Sequence, residues 1–178
     1  MPNPIFEIHL SNLHWITEDH PETDLCAHGS LYVQIGNEVV LDEEANSSWT
    51  VSATALLLLR TLELNHTKDC PIGDQLVPCC GHTLYLDENT EEVYILGCAT
   101  GYNWDVRHST DKIILRTAKG LPLVIPFTVY KEKVLAFVSQ VEQFYNVSLP
   151  KELPTNNDDR KAYLKFWEEW HRRRSKWE

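Results

Sequence analysis

Val51-Ser52-Ala53-Thr54-Ala55-Leu56-Leu57-Leu58-Leu59-Arg60-Thr61-Leu62 is the stretch whose reading decides the fold. Val51, Ala55, Leu58 and Leu62 recur at helical spacing, with Leu59 beside them, and apolar residues cover the neighbouring faces too. A helix greasy on most sides is buried among other elements rather than laid on a surface. Ser47 or Ser48 offers a capping hydroxyl. The pattern predicts a central core helix over 48–66.

The flanking segments read as strands that would cover this helix. Ile5 to Leu10 contains a short alternation. Residues 17–28 are acidic and irregular, as in a loop. Leu31–Ile35 and Val39–Leu41 flank Gly36-Asn37-Glu38 and predict a hairpin. Thr83–Asp87 and Val93–Leu96 predict a second, Tyr102–His108 and Lys112–Thr117 a third, and Leu123–Ile125 a last short strand. Further on, Val134, Phe137, Val138, Val141, Phe144 and Tyr145 predict a helix over 129–146. After Pro150 and Pro154, Asn157 or Asp158 starts a third, running to about 175. Its stripe of Tyr163, Phe166, Trp167 and Trp170 is expected to dock on the body, and the cations at 171–176 complement its dipole. The expectation is one α+β domain over 1–178: an antiparallel sheet of hairpins, about six to eight strands, with a buried central helix and two C-terminal helices. Parallel crossovers are not expected.

Composition agrees. The 178 residues are 43% apolar and 24% charged, an ordinary globular balance. No run approaches the roughly 18 apolar residues that span a bilayer. No basic region precedes an apolar one at the N-terminus, so a cytoplasmic location is expected and the sequons at Asn46, Asn65 and Asn146 read as chance. With five cysteines and no export signal, a disulfide framework is not expected, and the thiols read as small core hydrophobes. The net charge is −10, unevenly spread: +4 over 160–178 and −14 over 1–159. An acidic body repels phosphate backbones, which argues against nucleic acid, and attracts a basic protein.

Two groups of residues bear on chemistry. Cys79, Cys80, His82 and Cys98 lie close in sequence, with Cys70 and a Cys26/His28 pair upstream. Zinc on Cys79, His82 and Cys98 is the alternative they allow, although paired ribbon spacing is missing and adjacent cysteines are poor joint ligands. A thiol nucleophile, Cys79 or Cys80 with His82 or His108 oriented by Asp105, is a further alternative. No Walker loop, dinucleotide fingerprint or nucleophile elbow is present, and Gly97–Gly101 reads as a bend rather than a phosphate loop. The second group is acidic: Glu18, Asp19, Glu22 and Asp24; Asp42, Glu43 and Glu44; Glu88, Glu91 and Glu92. All fall in predicted loops or turns, where a basic partner would meet them.

Four phrases carry a resemblance: Trp49-Thr50-Val51-Ser52, Pro78-Cys79-Cys80-Gly81-His82, Gly97-Cys98 with Gly101-Tyr102-Asn103-Trp104, and Phe166-Trp167-Glu168-Glu169-Trp170. Together they resemble small bacterial immunity-type proteins encoded beside polymorphic toxins. The resemblance implies a cytoplasmic inhibitor that binds a toxin domain and blocks its active site. It transfers no functional residues, because the shared phrases read as structural. The expectation is a non-catalytic binding protein with no cofactor. Its partner would be a basic toxin domain, met by Asp42, Glu43, Glu44, Glu88, Glu91 and Glu92.

Overall fold

The leucine run folds into α1 (Val51–Thr61), and all eleven of its residues are buried. In the computed structural model, which describes residues 5–42, 48–87 and 89–178, this helix is shorter than the spacing predicts. Ser48 lies outside it, Ser47 falls outside the described residues, and Thr50 occupies the N-cap without a side-chain cap bond. The first amides are satisfied from elsewhere: Val51 N and Ser52 N both donate to Ala27 O. At the other end His66 exchanges both backbone hydrogen bonds with Val106, which pulls the chain out of the helix.

Nine strands surround α1 among the described residues, all paired antiparallel. They form three sheets rather than the single one expected. The largest joins β1 (Ile5–His14), β2 (His28–Gly36) and β3 (Glu38–Leu41), with the two-residue β4 (Trp49–Thr50) against the start of β2. A second pairs β5 (Leu84–Leu86) with β6 (Val93–Ile95). A third runs β7 (Asp105–Ser109), β8 (Lys112–Arg116), β9 (Leu123–Pro126). The reason lies in α1 itself. One twisted sheet covers one side of a helix, and a helix apolar all round needs cover on every side.

The β2–β3 turn follows the sequence closely. Ile35 pairs with Glu38, and Gly36 takes φ of +63°, a conformation open to a residue without Cβ. Alternation on β2 buries Leu31, Val33 and Ile35 completely or nearly so, opposite Phe6 and Ile8 on β1.

α2 (Phe127–Asn146) packs on β1, β8, β9 and α1 through Tyr130, Val134, Phe137, Val138 and Val141. It starts two residues earlier than expected because Phe127 N donates to Asp111 O in the β7–β8 turn. α3 (Asn157–Arg174) begins as predicted, with Asn156 Oδ1 accepting from Asp158 N and Asp159 N. Its aromatic stripe docks: Tyr163, Phe166 and Trp170 are buried in or against the core, and Trp167 packs edge-on to Tyr145.

One ion network crosses this core. Glu169 is fully buried, and its carboxylate accepts from Arg60 Nε and Nη2, Arg173 Nε, and Val93 N. Arg60 also donates to Ile72 O and Val93 O, so its guanidinium ties α1 to α3 and β6.

Candidate functional site

Two places bring together residues from distant parts of the chain: the cysteine cluster and the surface formed by the long connections.

The cysteine cluster sits at the N-terminal end of α1. Val77 and Tyr102 exchange two backbone hydrogen bonds of 3.0 and 2.9 Å, which clamp the 77–80 and 98–102 loops together. Thr50 N donates to Pro78 O and Thr50 Oγ1 to Cys79 O, fixing the first loop to the helix start. Asp74 accepts from Gly97 N, and Gln75 Oε1 accepts from Cys98 N at 3.2 Å, fixing the second. A Cβ on Gly97 would lie 2.6 Å from Asp74 Cβ, so this close approach favours glycine. The sulfurs of Cys79, Cys80 and Cys98 all fall within 4.8 Å of one another. Cys79 and Cys98 form a disulfide, and Cys80 Sγ lies 3.2 Å from Cys79 Sγ. Thr100 Oγ1 touches two of the three, at 2.8 Å from Cys79 Sγ and 3.1 Å from Cys98 Sγ.

This geometry corrects several expectations. The disulfide was not expected from an odd cysteine count. Of the alternative site residues Cys79, Cys80, His82 and Cys98, the three cysteines converge, and the metal alternative of Cys79, His82 and Cys98 has Cys80 in place of His82. His82 instead lines a small cavity with Cys26, Leu84, Pro154, Asp159 and Tyr163, beside His28. Not all free thiols act as core hydrophobes: Cys26 is buried, but Cys70 and Cys80 are exposed. The alternative nucleophile pair also separates. His108 Nε2 bonds Thr61 O at the C-terminal end of α1, whereas Cys79 is bonded to Thr50 at the other. Eleven helical residues, or about 16 Å, lie between those ends.

The acidic residues fare differently from one another. Glu43, Glu44 and Glu88 lie outside the described residues. Asp42 is exposed just after β3. Glu91 and Glu92 each have a cation beside them, Glu91 in the open and Glu92 half-buried. Glu91 pairs with Arg172 and Glu92 with Arg173, so the basic end of α3 folds back on them. Glu63 and Glu142 take Arg173 and Lys176, and Arg174, in the same way. Burial pushes the Glu63 carboxyl up, but Lys176 and Arg173 outweigh it and hold the group below its usual range.

The acidic β1–β2 connection keeps its charge exposed. Asp24 is structural there, accepting from Ile16 N and Cys26 N. Glu18 and Asp19 are exposed. Glu22 is held below the usual carboxylate range, chiefly by its own backbone amide, with His20 adding to it. This connection lies against the one between α2 and α3. Trp15 Nε1 donates to Ser148 Oγ, Glu152 N donates to Glu22 O, and Lys151 Nζ donates to Pro21 O while sitting over the Trp15 ring. Large apolar residues stand exposed on both: Ile16 at 64%, Val147 at 77%, Leu149 at 62% and Leu153 at 42%. Periodicity alone does not find them, since no helix or strand carries them.

A groove of about 980 Å³ between the β2–β3 turn and the β8–β9 connection is lined by Glu38, Val39, Lys119, Leu121 and Val124. Glu38 there accepts the Thr117 hydroxyl. No helix among the described residues is long and apolar enough to cross a membrane. Comparison with protein-family models, with curated proteins and with solved structures finds no match to this chain.

Proposed function

We propose that the chain is a non-catalytic inhibitor of the immunity type, which covers a basic toxin domain with the surface formed by its β1–β2 and α2–α3 connections. The observation that supports this reading is the exposure of Ile16, Val147, Leu149 and Leu153 on two segments bonded to each other. Apolar side chains left in water and rimmed by charge characterise interaction surfaces, and the apolar centre supplies most of the affinity. Acidic groups outnumber basic ones beside these apolar side chains: Glu18, Asp19 and Glu152 are exposed and Glu22 half-buried, with Lys151 among them over the Trp15 ring. This acidic excess would steer a basic partner in and speed its docking. The charge of the C-terminal helix does not oppose this, because its last cations are engaged by Glu63, Glu91, Glu92 and Glu142.

The reading moves the expected contact surface. Glu92 is half-buried against Arg173 and Glu91 pairs with Arg172 at the surface, whereas the β1–β2 connection joins its charge to exposed apolar groups, so the proposed contact is centred there. The test begins with the reading frames that flank this gene. A neighbour ending in a toxin-like domain should arrest growth when expressed, and co-expression of this chain should rescue it. Ile16→Asp with Leu149→Asp should abolish rescue while leaving the thermal melt unchanged, and charge reversal at Glu18, Asp19 and Glu22 should slow association at low salt. No such neighbour, no rescue, or full rescue by the double aspartate variant would overturn the proposal.

A further inference from the structure

We propose that Cys79, Cys80 and Cys98, once the Cys79–Cys98 disulfide is reduced, hold one thiophilic d10 metal ion through three thiolates, so that the disulfide is the closed form of a metal site. A structural disulfide needs two sulfurs, and here three converge within 4.8 Å. Tetrahedral zinc with Zn–S bonds of about 2.3 Å separates its sulfurs by about 3.8 Å. The cluster therefore reaches that arrangement by small side-chain rotations from where it stands.

The surroundings suit thiolates. The Thr100 hydroxyl reaches both Cys79 and Cys98 and can donate to a charged sulfur, as the outer partners of metal ligands do. Cys79 and Cys98 are half-buried and Cys80 is exposed, so an ion can enter from water. Both loops are fixed by backbone bonds, between Val77 and Tyr102 and from Thr50 to Pro78, that do not depend on the disulfide. Adjacency alone makes Cys79-Cys80 a poor pair of ligands, but this loop already turns both sulfurs to one side, 3.2 Å apart, so the pair supplies two sulfurs and Cys98 the third from the other loop.

The chemistry balances as follows. An external dithiol gives two electrons and two protons to the Cys79–Cys98 bond and becomes a disulfide itself, leaving two thiols. The ion then displaces three protons to solvent as three sulfur–metal bonds form. Water completes the fourth position.

The probe is Zn²⁺, with Co²⁺ as its spectroscopic substitute. The full chain is reduced, freed of reductant under inert gas and titrated against a chromophoric chelator. One Zn²⁺ per chain is expected, and Co²⁺ should show sulfur-to-metal charge-transfer absorption. Cys80→Ser and Cys98→Ser should each weaken binding at least tenfold, Cys70→Ser should leave it unchanged, and the oxidised protein should hold no stoichiometric metal. Should Cys98→Ser fail to fold, the exposed Cys80→Ser variant, checked by its melt, decides alone. Reduced wild-type protein that yields all its zinc to the chelator, or a Cys80→Ser variant that binds as tightly as wild type, would overturn the proposal.

Discussion

Glu169→Gln isolates the buried charge at the centre of the molecule without changing its size. Glu169 Oε1 accepts from Arg60 Nε and Arg173 Nε, both at 2.8 Å, and Oε2 accepts from Arg60 Nη2 at 2.8 Å and Val93 N at 2.9 Å. Glutamine keeps one acceptor for the first pair, but its NH₂ group then faces the second pair, donor against donor. Arg173 retains Glu63 and Glu92. Among the described residues Arg60 then retains the carbonyls of Ile72 and Val93 and no carboxylate bond, so it is left as a buried cation without its paired charge. Breaking one side of such a buried pair costs about 3–5 kcal/mol. Against a total stability of about 5–15 kcal/mol this is a large fraction. At about 2–4 °C per kcal/mol for a domain of this size, the melting temperature should fall by roughly 6–20 °C. Urea unfolding at pH 7 should show the same loss as a lower midpoint with an unchanged slope. The pH dependence supplies a second check. Burial pushes the Glu169 carboxyl up, but Arg60, Arg173 and the Val93 amide outweigh it and hold the group below its ordinary value of 4.5. A depressed folded-state value means that the stability is present above about pH 4.5 and lost as pH falls through the folded value. The gap between wild type and variant should therefore be full at pH 7 and narrow in acid. A loss under about 1 kcal/mol at pH 7, or a gap that stays constant down to pH 3, would refute this account of the network.

The remaining predictions concern single groups. Burial, with Asp24 adding to it, pushes the Cys26 thiol up to about 12. In the oxidised protein at pH 8, Cys70 and Cys80 should therefore alkylate quickly and Cys26 only after unfolding, which peptide mass mapping reads directly. Tyr130→Phe should cost about 1 kcal/mol in urea unfolding, because it removes the bond to Thr61 Oγ1 and leaves the ring packed on Phe6. Asn156→Ala should also cost about 1 kcal/mol, since two amides of the first turn of α3 lose their acceptor. A neutral result at Asn156 would mean that docking, and not the cap, sets the start of α3.

Each element was legible where its own residues carry the signal. The greasy run at 51–62, the turn glycine at Gly36 and the aromatic stripe of Tyr163, Phe166 and Trp170 all behave as their spacing predicts. The helix limits were less legible, because α1 takes its first acceptor from Ala27 rather than from a serine beside it. Arg60 and Glu169 did leave a trace. One is a lone charge inside a leucine run, and the other stands three residues after Phe166, on the stripe's own face. Their pairing leaves none, since 109 positions separate them.

The candidate sites divide in the same way. Residue types at short range pointed to Cys79, Cys80, His82 and Cys98, and the acid content pointed to charged loops. The tertiary structure decided which side chains meet. It brought the sulfurs of Cys79, Cys80 and Cys98 together, placed His82 elsewhere, and joined Thr100 to the sulfurs. It also set Glu91 and Glu92 near the cations of α3, and laid the segment of Ile16 beside the one that carries Val147 and Leu149. Helical and strand periodicity acts over a few residues and is written along the chain. Proximity between loops follows from how three sheets and two helices close around one buried helix, and no local pattern of residues encodes it.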